Sequence, residues 1–192
     1  MDLTDRQADL ADAALRLLAR TGMAGVTFRS VAAESGWSLG AVQKAFPSRE
    51  ALERAMLARL RAQAGPPPTG EPGRPTLRGW FTDLCCSLLP LDERRRGLVL
   101  QGAAFADRAA FDPGIGATIA GSDAELRGLL VALIRRGIAE GEVTALDADA
   151  AAWHLLALVQ GASAQLLYDA RPEAEMRPLI AEAVARILGP RP

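Results

Sequence analysis

Lysine, histidine, tyrosine and cysteine are nearly missing from this chain of 192 residues, which holds one Lys, one His, one Tyr and two Cys. The cysteines are neighbours, Cys85 and Cys86. Adjacent cysteines do not readily close an ordinary disulfide on each other, and no second pair exists, so a disulfide framework is excluded. His154 stands far from both in sequence, which leaves no metal-ligand spacing. There is no Gly-x-Ser-x-Gly element and no His/Cys dyad. Gly114-Ile115-Gly116 follows a proline and has no strand before it, so it is no nucleotide fingerprint. No catalytic constellation, metal or cofactor is therefore expected. No run approaches the roughly 18 apolar residues of a membrane span. The first segment is polar and acidic rather than basic and then apolar, so no membrane partner and a cytoplasmic location are expected. An alternating strand pattern and an internal repeat are also missing.

What is present is a helical protein. Apolar residues make up 49% of the chain, enough for a real core. The formal net charge of −1 is unevenly spread: residues 1–64 carry +2 and the remainder −3. Within 27–61, six basic residues face three acidic ones. That modest asymmetry supports a phosphate-bearing partner.

Helical spacing recurs along the chain. Leu10, Ala14, Leu17 and Leu18 mark a first helix, stopped at Thr21-Gly22. Thr27 is an N-cap for a short helix over 29–34, and Gly36 supplies the turn. Ser38 caps a second short helix with Val42 and Ala45 on its inner side and Phe46 just beyond. Pro47-Ser48 ends it and launches a fourth helix from Arg49 to about 64. This is a helix-turn-helix. Its second helix turns Ser38, Leu39, Gly40, Ala41, Gln43 and Lys44 outward, and small residues at its start allow close approach to base edges in a major groove. Lys44, the one lysine of the chain, falls on that helix. Arg49 can reach a phosphate.

The wider run resembles the TetR family of transcriptional regulators. The likeness is carried by Gly25-Val-Thr-Phe-Arg-Ser-Val-Ala, Gly36-Trp-Ser-Leu-Gly-Ala-Val and Phe46-Pro-Ser-Arg-Glu-Ala-Leu, over residues 4–60 by motif and beyond them by helical layout. Two positions depart from the family pattern: Trp37, where an aliphatic residue is usual, and Gln43, where a phosphate-touching tyrosine is usual. The resemblance implies a ligand-responsive repressor that binds an inverted-repeat operator in double-stranded DNA as a homodimer. Thr27, Arg29, Ser38, Leu39, Gly40, Ala41, Gln43, Lys44 and Arg49 would be its DNA-binding residues.

An all-α fold of about nine helices is predicted. Residues 1–47 form a three-helix DNA-binding domain with a connecting helix to about 64, residues 65–76 a Pro/Gly-rich linker, and residues 77–192 a helical effector-binding and dimerisation domain. In the last of these, Asp112-Pro113-Gly114 reads as a break, with a short helix over 115–120 before an amphipathic one over 123–140. Trp80, Phe105 and Trp153 fall on three different helices and, with Cys85 and His154, either line a pocket for a small apolar effector or belong to the core. The cysteines are either a thiol sensor or small buried hydrophobes. Stripes on the last two helices, Leu155, Val159, Ala162 and Leu166, then Ile180, Val184 and Ile187, predict a four-helix dimer interface. A different class, a small helical enzyme or ligand carrier whose N-terminal hairpin is structural, would lack the Phe-Pro-Ser-Arg-Glu tail. A third reading, a relative that has lost DNA binding, rests on Trp37 and Gln43.

Overall fold

A computed structural model of the protein describes residues 3–64, 76–144 and 146–189. Among them are nine α-helices, one 3-10 turn and no strand. The expected linker over 65–76 lies outside the described residues, apart from Thr76. The chain divides into two compact units.

The first unit is built by local signals. Helix α1 (Asp5–Thr21) opens on a capping box in which the Thr4 hydroxyl accepts from the Gln7 N–H and the Gln7 side chain accepts from the Thr4 N–H, and it closes at Gly22, φ +70°. A 3-10 turn, Met23–Gly25, leads to α2 (Phe28–Ser35), capped by Thr27 and ended by Gly36 in the left-handed region, φ +75°. Helices α3 (Leu39–Ala45) and α4 (Arg49–Ala64) follow. Leu10, Ala14, Leu18, Val31, Val42, Phe46, Leu52 and Met56 form the buried core. Arg59 on α4 grips Asp12 on α1 through two N–H groups at 3.0 and 2.6 Å.

Residues 97–117 also belong to this unit, although the sequence pattern leaves them with the C-terminal part. They comprise most of α6 (Glu93–Ala109) and the first turn of α7 (Pro113–Ala139). Side-chain bonds account for it. The buried Gln101 donates Nε2 to the Leu15 carbonyl at 3.0 Å, and Arg108 reaches Glu53 on α4 at 2.8 Å. Phe105 is fully buried. Nor does α7 break where the sequence suggests. The Asp112 carboxylate accepts from the N–H of Gly114 and Ile115, and Pro113 sits in the first turn, where it loses no hydrogen bond. The presumed breaker is a helix start, and the 27-residue helix then runs without interruption.

The second unit comprises α5 (Leu77–Leu88), the rest of α7, α8 (Ala148–Leu166) and α9 (Glu173–Ile187). Its core joins Leu77, Phe81, Leu130, Ile134, Leu155, Ile180 and Val184. Gly137 lets α7 pass close to α5, since a Cβ there would overlap the Leu77 side chain. Three arginines satisfy the carbonyls that helix C-termini leave free. Arg78 donates to Ala185 and Gly189 at the end of α9, Arg95 to Cys86 at the end of α5, and Arg96 to Leu166 and Leu167 at the end of α8. Helix α9 begins at Glu173 after the cap Pro172 and carries Pro178 inside.

Candidate nucleic-acid interface and effector cavity

Helix α3 is fixed from within and presented from without. Val42 and Phe46 are buried, and the Ser38 hydroxyl accepts from the Ala41 N–H at 3.2 Å to cap it. The other face leaves Gly40, Gln43 and Lys44 exposed, with Leu39 and Ala41 half-buried. Thr27, Arg29 and Ser38 are exposed beside it. The Ser30 hydroxyl ties the turn before α2 to that helix through the Gly25 carbonyl at 2.8 Å. Arg16 and Arg20 on α1 clasp Glu34 on α2, and these hydrogen bonds hold the Glu34 carboxyl below the usual range. Helix α1 also bonds the end of α3, where the Gln7 Nε2 donates to the Ala45 carbonyl at 3.1 Å.

Arg49 is engaged elsewhere. Its guanidinium donates to Glu53 at 2.8 Å and to the Met23 carbonyl at 3.0 Å, so a phosphate must compete with a buried carboxylate for it. Trp37, directly before the cap of α3, is 39% exposed, and the Arg6 guanidinium lies over its ring.

The five residues proposed from sequence to bind an effector have different surroundings within their own units. Phe105 belongs to the first unit and is fully buried. Trp80 is half-buried and stacks edge-on against Phe81. Trp153 is 56% exposed, with the exposed His154 ring beside it. Of the five, Cys85 lines a small apolar cavity of about 10 Å³, partly open to the surface, among Phe81, Leu84, Leu88, Leu126, Leu130, Leu155, Leu156 and Val159. That volume holds about one water, whereas ligand sites run to roughly 300–1,000 Å³. A ligand there must part the helices. Leu126 and Leu130, on the amphipathic stretch over 123–140, form one wall. Asp123 stands on the same face of α7, three residues before Leu126 and seven before Leu130. Its carboxylate is half-buried and has no hydrogen-bond or ion-pair partner among the described residues. Burial pushes its pKa up, against a smaller pull from Arg127.

The thiol-sensor reading of the cysteines fails on burial. Both are buried, and burial with the neighbouring Cys86 pushes the Cys85 thiol up to about 12. No group of His, Cys, Asp and Glu suited to a metal occurs among the described residues, and none of their helices is long and apolar enough to cross a membrane.

Part of each expected interface stripe is covered within the single chain. Leu155, Leu166, Ile180 and Val184 are buried inside the chain's own core, and Val184 is 0% exposed. Periodicity marks an apolar face but not which neighbour covers it. Val159, Ala162 and Ile187 are only partly covered. Beside them, Tyr168 at 79% and Leu179 at 52% exposure line a groove of about 260 Å³ with Ala162 and Met176.

A helix-turn-helix with one buried and one polar face on its second helix, followed by a second helical unit, is the layout of a DNA-binding regulator. The chain belongs to the TetR family: residues 10–56 match the model of bacterial regulatory proteins of the tetR family, and residues 77–189 match that of the BetI-type transcriptional repressor C-terminal domain. A transcriptional regulator from Rhodococcus sp. Rha1 shares 26% identity with it over 96% of both chains, with a TM-score of 0.80. A Saccharomonospora viridis protein solved in complex with choline shares 25% over 92% of this chain and 93% of its own, TM-score 0.73. The multidrug binding protein EbrR, complexed with ethidium, has the same fold at 24% identity over 97% of this chain and 100% of its own, TM-score 0.69. No curated protein matches the sequence. The protein is a regulator of transcription and not an enzyme.

Proposed function

We propose that the protein is a homodimeric repressor, acting in the cytoplasm, that leaves an inverted-repeat operator when a small, mainly apolar organic cation enters the second unit. The observation that carries the DNA half is α3, with Val42 sealed in the core and Gly40, Gln43 and Lys44 free to meet a groove. Thr27, Arg29, Ser38, Leu39 and Ala41 complete that face, and Lys44 is its phosphate contact. One helix-turn-helix neutralises few phosphates, so two copies related by a two-fold axis are needed for tight binding. The exposed Tyr168 and Leu179, with Ala162 and Ile187, supply the apolar surface for that pairing.

The effector half rests on the apolar cavity and Asp123. A half-buried carboxylate without a partner is costly unless a cation meets it. Choline and ethidium, bound by two relatives, are organic cations. Because the cavity is too small for such a ligand as it stands, binding favours a rearranged helix packing, and only a ligand with higher affinity for that packing shifts the equilibrium. The test compares choline and benzyltrimethylammonium with their uncharged isosteres, 3,3-dimethylbutanol and neopentylbenzene, by release of a duplex selected from a random pool. Release by the cations and not by the isosteres is expected. Equal release by both would remove the role of Asp123, and release by none would remove this effector class.

A further inference from the structure

We propose that Arg6 and Trp37 form a DNA contact additional to α3, in which the indole holds the Arg6 guanidinium ready for a backbone phosphate beside the start of the reading helix. The proposal rests on α3 being the reader. The Arg6 Cζ lies 4.8 Å from the centre of the Trp37 ring. A guanidinium stacked on an aromatic face keeps its N–H groups free in its own plane, where a phosphate can take two of them. Arg6 is exposed and makes no ion pair among the described residues. Most of its neighbours differ: Arg16 and Arg20 are held by Glu34, Arg49 and Arg108 by Glu53, and Arg59 by Asp12. Those arginines build the unit, whereas Arg6 is left over for a partner.

Position singles out the same residue. Trp37 directly precedes Ser38, the cap of α3, and its own N–H donates to the Ser35 hydroxyl at 3.3 Å. Gln7, the next residue after Arg6, bonds the Ala45 carbonyl at the far end of α3. The first turn of α1 therefore touches the chain at both ends of the reading helix. A recognition helix enters the major groove by its N-terminal residues, with phosphates flanking that end. Arg6 stands on this side. Trp37, 39% exposed, keeps part of its ring at the surface, where it can orient a cation. Trp37 is a positioning residue in this arrangement, and Arg6 makes the contact.

The alternative is a staple that merely fastens α1 to the turn, and the salt dependence of binding separates the two. With a duplex selected by the wild-type dimer, Arg6→Ala is expected to bind several-fold more weakly at 50 mM salt. Its slope of log affinity against log salt should be shallower by about one, so that the deficit shrinks about threefold by 200 mM. Trp37→Leu should show part of the same change, and the double variant should be no worse than Arg6→Ala. Arg6→Lys, which keeps the charge but stacks poorly, should retain the wild-type slope. An Arg6→Ala protein with the wild-type slope and a lower Tm would leave only the staple and overturn the contact. Loss of binding in Lys44→Ala together with an unchanged Arg6→Ala would overturn this contact while sparing α3 as reader. A wild-type protein that selects no duplex would overturn both.

Discussion

The Arg108 Nη2 lies 2.8 Å from Oε2 of Glu53, whose other oxygen accepts from the Arg49 Nε at the same distance. Glu53 is 2% exposed, and Arg49 continues to the Met23 carbonyl. One buried carboxylate thus joins α6, α4 and the turn after α1. Arg108→Ala should cost about 1–2 kcal/mol in denaturant unfolding, since it leaves a buried charge with a single partner while the lost arginine was itself partly exposed. Arg49→Ala should show a similar cost, and its effect on the salt slope of DNA binding should be smaller than that of Lys44→Ala.

Asp123 links stability to ligand binding through pH. Burial raises its carboxyl above the unfolded value, so the folded chain holds that proton to higher pH. The penalty is absent below the unfolded pKa and grows as pH rises through the folded one. Asp123→Asn should therefore raise Tm by about 1–3 °C at pH 7 and by nothing near pH 3. The same variant should lose the preference for choline over 3,3-dimethylbutanol. Thermal melts across pH and isothermal titration check the two effects.

Dimerisation should depend on exposed side chains. Leu179→Glu, at a half-exposed position, should give a folded monomer by sedimentation. Val184→Glu places a charge in a fully buried site and should unfold the second unit instead.

Cys85 and Cys86 should stay unreactive. A thiol held near 12 has almost no thiolate at neutral pH, and both sulfurs are shielded. Ellman's reagent should label neither in the native protein and both after denaturation. An effect of oxidant on DNA affinity would contradict this.

The helix-turn-helix was legible because its signals are local. Thr27 and Ser38 cap, Gly36 turns with positive φ, and each needs only its neighbours along the chain. The all-α class followed from helical spacing for the same reason. Contacts between distant residues were not legible. Nothing in the run Arg94-Arg95-Arg96 says that two of the three close the ends of α5 and α8. Gln101 and Arg108 give no sign that α6 packs with the N-terminal helices. The aromatic residues left pocket and core both open because an aromatic is equally at home in a core, as Phe105 is, or on a surface, as Trp153 is. Asp123 escaped notice because a lone acidic residue on a helix usually faces water, and only burial marks it out.

Selection of duplexes from a random pool by the purified dimer, followed by the affinity of Lys44→Ala and Gln43→Ala for the winner, tests the central claim most directly. The account predicts an inverted repeat with half-site centres about 34–36 Å apart or a multiple of that. It predicts a salt slope about one unit shallower for Lys44→Ala and an altered affinity or base preference for Gln43→Ala. No enriched sequence, or an enriched one that both variants bind like the wild type, would contradict it.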